Sequence, residues 1–236
     1  MEDKNIGIKR IVFANVSGYL VYTDKVAMMV DTGHKGMSDS ILRAIEEVGH
    51  SAETLQVIIL THSHYDHAGG AAELKELTGT KLLIHQSEAD NLGAGKTTIP
   101  DGTRWKGKLI AWIGRRFARK VMRINPVVPD ILVGEKLELG GYGIPGYILH
   151  TPGHTCGSQS VILENGIAIV GDTMLGIPGK EHFPPFADDQ KAVLDSWQKL
   201  IETGSKKFYP GHGSEITIEE IVSELPEAVK KYGAEV

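Results

Sequence analysis

The 236-residue sequence has one cysteine, Cys156. No intrachain disulfide can form, and neither can a cage of several thiolates, so any bound metal must be held by nitrogen and oxygen. Cys156 itself is expected to be a small buried hydrophobe. Long apolar runs are also missing. No stretch approaches the roughly 20 residues that a spanning helix needs, and Met1-Glu2-Asp3-Lys4-Asn5 lacks the apolar core of a signal peptide. The expectation is a cytoplasmic protein without a membrane span. Between Gly102 and Pro129 there is no acid at all, while Arg104, Lys106, Lys108, Arg115, Arg116, Arg119, Lys120 and Arg123 supply eight cations. Removing those from the 25 Lys and Arg leaves 17 basic residues against 30 acidic ones, so the net charge of -5 hides a local basic segment.

What is present is ordinary globular composition, 41% hydrophobic and 23% charged, enough for a well-filled core. One domain over 1–236 is expected, with a basic amphipathic insert at about 93–130. Short β-rich runs cover Arg10–Val16, Gly18–Tyr22 and Val26–Val30, with breaks at Ser17-Gly18 and Thr23–Lys25. A helix is expected from Ser38, as N-cap, to Val48, then a buried strand at Val57–Leu60. Helix at Ala71–Leu77, strand at Lys81–Ile84 and a short helix at Gln86–Leu92 follow. Further strands are expected near Lys136–Leu139, Tyr147–His150, Gln159–Leu163, Ile167–Val170 and Lys207–Tyr209, with helices at about Asp188–Ile201 and Thr217–Lys231. Groups of strands separated by single helices suggest two sheets with helices outside.

Two motif lookalikes fail on context. Gly141-Tyr142-Gly143-Ile144-Pro145-Gly146 fits G-x-G-x-x-G, yet Pro145 and the β-like residues after it deny the helix start that phosphate binding needs. Gly95-Lys96-Thr97 resembles the end of a P-loop, but Asp90 stands at the required upstream glycine. Nucleotide binding is not expected.

The informative stretch is Thr61-His62-Ser63-His64-Tyr65-Asp66-His67-Ala68-Gly69-Gly70, directly after the apolar run Val57–Leu60. In an extended chain His62, His64 and Asp66 share one side, and His67 joins them once the chain turns. Asp66 is expected as an N-cap, with Gly69-Gly70 letting the backbone pass close to whatever the side chains hold. Crowded imidazoles repel when protonated, so the cluster calls for a cation. His154, Asp172 and His212 sit in similar settings, each just past an expected strand and beside a glycine.

With Asp31-Thr32-Gly33, the H-x-H-x-D-H block, Gly153-His154-Thr155, Gly171-Asp172-Thr173 and Gly211-His212-Gly213 in this order, the sequence resembles the metallo-β-lactamase superfamily over most of its length. The resemblance implies an α/β fold, a four-layer αββα sandwich of two mixed β-sheets flanked by helices, with the metal site at one edge. It implies two divalent ions, zinc favoured and iron or manganese as alternatives. His62, His64 and His154 would hold one, Asp66, His67 and His212 the other, and Asp172 would bridge them. Asp66 and Asp172 would also serve catalysis, and Asp31 would orient ligands from behind.

The implied activity is hydrolysis by metal-activated water, with no serine-elbow motif in the sequence. Asp172, where several β-lactamases carry cysteine or serine, resembles the glyoxalase II, lactonase and nuclease branches. With 24 residues after His212, the glutathione-contacting domain of glyoxalase II is not expected. The reading is a compact glyoxalase-II-like hydrolase of a small thioester, ester or lactone. A mononuclear-iron persulfide or thiol dioxygenase, and a nuclease or phosphodiesterase, are the alternatives.

In the basic segment Trp105, Leu109, Trp112, Ile113, Phe117 and Val121 recur at helical spacing. An amphipathic helix packed on the sandwich with a solvated basic face is expected. The competing readings are a surface patch and a lid in which Trp105, Trp112 and Arg116 meet a small-molecule substrate, joined there by His182. His34, His50, His85 and His150 match no metal position and are read as structural. No nucleic-acid partner is expected, and a homodimer is compatible with the sequence.

Overall fold

The computed structural model describes residues 6–117 and 122–233, without the side chains of Trp105, Lys106, Ile110, Arg115 and Phe117. Met1–Asn5 and Val121 therefore lie outside the described residues. Two six-stranded sheets form the centre. The first is ordered β1 (Gly7–Phe13), β2 (Val16–Tyr22), β3 (Ala27–Val30), β4 (Leu55–Ile59), β5 (Lys81–His85) and β6 (Ile131–Val133). It is antiparallel up to β3 and parallel beyond. The second contains β7 (Lys136–Glu138), β8 (Gly146–His150), β9 (Gln159–Leu163), β10 (Ile167–Gly171), β11 (Lys207–Pro210) and β12 (Ile216–Thr217), in which only β10 and β11 run parallel.

The helices are α1 (Ser38–Glu47), α2 (Tyr65–Ala68), α3 (Ala71–Thr78), α4 (Ala89–Gly93), α5 (Trp105–Phe117), α6 (Gln190–Glu202) and α7 (Ile218–Tyr232). Strand periodicity builds the layers. In β4, Val57 and Ile59 join Val30, Val161 and Ile169 between the sheets, while Ile58 faces out onto Ile41, Ile45 and Leu74 of α1 and α3. On the other outer face Ala168, Phe208 and Ile216 pack with Trp197 of α6 and Ile221 of α7. This is the αββα sandwich.

Several local expectations are corrected. The first hairpin turns at Ala14-Asn15, where Ala14 takes a left-handed φ of 61°, so Ser17 and Gly18 lie within β2. Met37, not Ser38, is the N-cap of α1, because the Ser38 hydroxyl donates instead to Glu73 of α3. Asp66 stands inside the first turn of α2, behind His64 at the cap. Strands β6 and β12 were not foreseen; three and two residues long, they owe their conformation to pairing with β5 and β11. Thr217 is the N-cap of α7 and forms a capping box with Glu220.

Candidate metal centre

The seven candidate ligands come from five chain segments that end at one rim of the sandwich. His62 follows β4; His64, Asp66 and His67 belong to the cap and turns of α2; His154, Asp172 and His212 leave β8, β10 and β11. Parallel neighbours point their C-terminal ends the same way, so β10 and β11 deliver Asp172 and His212 to one edge of the second sheet, and β3 and β4 deliver Asp31 and His62 to one edge of the first. Cross-sheet bonds fix the rim. Gln159 donates through Nε2 to the Leu60 carbonyl (2.8 Å) and through its backbone N–H to the Thr61 carbonyl (2.9 Å).

The coordinating atoms gather in three overlapping groups: His62, His64 and His154; His62, His67 and Asp172; and Asp66, His67 and His212. His64 Nδ1 lies 2.9 Å from His62 Nε2 and 3.0 Å from His154 Nε2. Asp172 stands between the two ends. Its Oδ1 is 3.3 Å from His67 Nε2, and its Oδ2 is 3.4 Å from His212 Nε2 and 3.6 Å from His154 Nε2. Asp66 Oδ2 is 3.5 Å from His212 Nε2.

Each of the five rings has a partner for its outward nitrogen. His67 Nδ1 meets Asp31 Oδ2 at 2.8 Å, and His62 Nδ1 meets Thr61 Oγ1 at 3.0 Å. His154 Nδ1 reaches the Phe186 carbonyl (2.9 Å) and His212 Nδ1 the Asn15 carbonyl (2.7 Å); both must donate, because a carbonyl only accepts. Thr61 Oγ1 gives its own proton to Asp31 Oδ2 (2.8 Å), which leaves it free to accept from His62. His64 is reversed, with Nε2 3.3 Å from Thr98 Oγ1 and Nδ1 inward. Outward donation directs the inward nitrogens at the centre, where they serve as lone-pair ligands once any proton on them is displaced, the arrangement by which outer partners orient metal-binding imidazoles. Among the described residues His67 Nε2 and Asp172 Oδ1 are buried without a hydrogen-bond partner. Two buried, orphaned atoms facing each other fit a cation held between such ligands.

Protonation divides the site. Burial, reinforced by the neighbouring imidazoles, keeps His62 well below the ordinary histidine range and brings His64 to about 3. Burial opposes charge on His67 and His212 as well, but Asp172, with Asp31 for His67, outweighs it; His67 rises well above its usual value and His212 to about 10. For Asp66 burial is likewise outweighed, by His212 and His67, and the carboxyl falls to about 2. Asp172 is lowered too, His67 and His212 overcoming its burial. Without metal, protons on His67 and His212 balance the two carboxylates.

Glycine is required at position 211, where a Cβ would lie 2.4 Å from His67 Cε1 and 2.6 Å from Asp172 Oδ1. Gly69 and Gly70 have a different task from the expected one: they pack against the Thr32–Lys35 turn, away from the coordinating atoms.

A cleft of about 410 Å³ opens over His64, Asp66, His154, Asp172 and His212, walled by apolar groups that include Ile99, Leu175, Pro184 and Phe186. Tyr65, which carries no signal of a functional role in the sequence, lines it as well. Its phenol is raised by burial and by Asp66, so at neutral pH it is an O–H donor. His182 does not line this cleft; its ring is tied through Nδ1 to the Leu175 carbonyl (2.8 Å). Trp112 and Arg116 are exposed on the far side of α5 and do not line it either, while the side chain of Trp105 lies outside the described residues. Cys156 is exposed at the tip of a loop, contrary to expectation. His85 and His150 stack at 3.9 Å, and His50 bridges Thr23 and Thr54; all three hold backbone or one another.

The metallo-beta-lactamase superfamily model matches residues 12–212, from β1 through His212. The chain belongs to that superfamily. Within the superfamily it is 30% identical over 207 residues to the hydroxyacylglutathione hydrolase GloC of Haemophilus influenzae, covering 84% of this chain and 86% of that protein. A probable metallo-hydrolase of Methanocaldococcus jannaschii is 26% identical over 200 residues, 84% and 87% of the two chains. The Beta-lactamase-like protein 2 homolog of Drosophila melanogaster is 25% identical, and this chain spans 61% of its length. Among solved structures, the BLEG-1 B3 metallo-beta-lactamase superposes with a TM-score of 0.70 at 21% identity, over 94% of this chain and 99% of that one; at that identity it speaks for the fold alone. Superfamily membership and the His/Asp clusters together make this a metallo-hydrolase with a divalent-metal site. No described helix is long and apolar enough to cross a membrane.

Proposed function

We propose that the chain is a dinuclear metal-dependent hydrolase of small thioesters, esters or lactones, with thioesters favoured. The observation that carries this reading is the outward pinning of all five imidazoles around the orphaned His67 Nε2 and Asp172 Oδ1. His62, His64 and His154 would hold one ion, Asp66, His67 and His212 the second, with Asp172 shared, and zinc suits this donor set. When bound, such ions lower the pKa of water from about 15.7 toward 7 and polarise a substrate oxygen.

The chain's own residues then set the substrate. The apolar wall of Ile99, Leu175 and Phe186 excludes water and takes an acyl group. Tyr65 donates to an acceptor oxygen of the bound substrate. Asp66, held as a carboxylate by His212 and His67 in the metal-free chain, accepts a hydrogen bond from water and brings no proton of its own to a leaving group. That favours a group departing as a stable anion, a thiolate or aryl oxide, over an alkoxide. The similarity to a hydroxyacylglutathione hydrolase agrees with this choice.

The test is a hydrolysis screen of metal-loaded protein against S-acyl thiols, lactones, aryl esters and phosphodiesters, with metal content measured on the same samples. Thioester or aryl-ester turnover that stops on chelation is the expected outcome. Turnover confined to phosphodiesters, or oxygen uptake with thiols and one iron per chain, would replace the proposal with the nuclease or dioxygenase reading.

A further inference from the structure

Helix α5 is amphipathic in the opposite sense to a core helix. Its small residues point inward: Ala111 and Gly114 line the metal cleft, and Gly107 lies so close to the core that a Cβ there would be 3.1 Å from both Gly102 Cα and the Pro185 carbonyl. The large apolar residues of α5 whose side chains are described point to solvent. Trp112 is 65% exposed, Leu109 52% and Ile113 45%, at spacings that put them on one face. Lys108 and Arg116 are exposed at the two ends of that stripe, and Arg104 and Arg123 are exposed at either end of the helical segment. Single exposed hydrophobes need no explanation, but three contiguous ones on one turn and a half of helix do.

The helix is also anchored. Thr103 donates from its N–H to the Pro185 carbonyl (2.9 Å) and from its hydroxyl to the Pro184 carbonyl (3.1 Å); Ala187 N–H donates to the Asp101 carbonyl (2.8 Å). The same loop supplies the Phe186 carbonyl that orients His154. The outward apolar stripe is therefore held in a fixed position beside the mouth of the metal cleft.

We infer that α5 is an interfacial helix that docks this face of the protein on an anionic lipid surface. A tryptophan and two aliphatic side chains enter the acyl boundary while cations flank them, which is the composition such helices use. Charge decides among occupants. The four described cations around the stripe, Arg104, Lys108, Arg116 and Arg123, belong to an acid-free stretch of sequence in a chain whose remainder carries 17 basic against 30 acidic residues, so an anionic bilayer favours this segment over the rest of the surface. A second copy of the chain would bring two such cationic segments together, because a two-fold contact matches each surface with itself. A nucleic acid would satisfy the cations but offer no apolar medium to Leu109 and Ile113. The further consequence, that the cleft under α5 receives acyl amphiphiles from the bilayer, rests on the hydrolase reading; the docking does not.

The test is cosedimentation of the full chain with phosphatidylcholine vesicles with and without phosphatidylserine, at low and physiological salt. Binding only to the anionic vesicles, weakening with salt, is expected. Lys108→Gln should lower the partition coefficient about fivefold, the effect of one interfacial cation. Trp112→Ala should lower it at least as much at unchanged thermal stability. For the unaltered protein, brominated lipid should quench tryptophan fluorescence, a readout that needs no variant. Absence of anionic-vesicle binding would overturn the inference. So would a dimer in solution that shields Trp112 from a soluble quencher, or oligonucleotide binding that persists at salt where vesicle binding is lost. Vesicle binding without any hydrolysis would sustain the docking and count against the hydrolase reading.

Discussion

His67 Nδ1 lies 2.8 Å from Asp31 Oδ2, and the other nitrogen of the same buried ring faces Asp172 without a hydrogen-bond partner among the described residues. Asp31 does more than hold this ring. Its Oδ1 accepts from the Thr61 backbone N–H (2.7 Å) and its Oδ2 from the Thr61 hydroxyl, which in turn accepts from His62. One carboxylate thus sets the orientation of two rings, one from each proposed metal-binding group. Asp31→Asn is expected to lower metal affinity about 10–100-fold, the usual effect of losing an outer partner. Metal titration followed by elemental analysis checks this. Unchanged affinity would show that packing alone orients His62 and His67.

Metal binding should release protons unequally from the two ends. At pH 7 His62 and His64 are already neutral, whereas His67 and His212 are protonated in the metal-free chain. Filling the Asp66–His67–His212 end therefore displaces two protons, and its affinity should rise with pH until His212 loses its proton near 10. Filling the end that contains His62 and His64 takes none from those two. Calorimetric titrations in buffers of different ionisation enthalpy count the protons directly. Equal release from both steps would contradict this division.

Gly211→Ala places a methyl group 2.4 Å from His67 Cε1 and 2.6 Å from Asp172 Oδ1. Both neighbours are buried and tied down, so relief must come from moving a ligand or the backbone. A loss of about 1–3 kcal/mol of stability is expected, in the range of overpacked cores. Metal content should fall in parallel, read by thermal melts and elemental analysis on the same sample. A stable variant with full metal would mean that the rim yields more easily than its bonds suggest.

Tyr65→Phe removes the phenol O–H from the cleft and leaves the ring. Under the proposed hydrolysis, kcat/KM should drop about tenfold, the value of one hydrogen bond to an uncharged partner near the top of its range, with metal content unchanged. An unaltered kcat/KM would place the hydroxyl outside the substrate's reach.

Much of the fold was legible because strand periodicity and helix caps are local. The short, uniformly apolar run Val57–Leu60 declares a buried strand, and the helix expected at about Thr217–Lys231 is α7. The seven candidate ligands were legible for a similar reason: four crowd into the H-x-H-x-D-H block after one strand, and His154, Asp172 and His212 each follow a strand beside a glycine. The outer partners were less so. Thr61 is adjacent to the cluster, but the carbonyls of Asn15 and Phe186 carry no signal, since every residue has one. His182 and Trp112 have suitable side chains and the wrong direction.

The basic helix separates the two levels most clearly. Its amphipathic spacing was written in the sequence, and so was its charge. Which face turns inward was not, because an apolar stripe is normally buried and the described members of this one, Leu109, Trp112 and Ile113, are not. Gly107, Ala111 and Gly114 allow the backbone of α5 to approach Gly102 and the cleft closely, and that close seat leaves Leu109, Trp112 and Ile113 no core to enter. The sequence by itself determined the candidate coordinating groups and the order of most of the elements. Only the tertiary structure decided which nitrogen of each ring points inward and which side of α5 meets the site, since both depend on contacts between segments far apart in the chain.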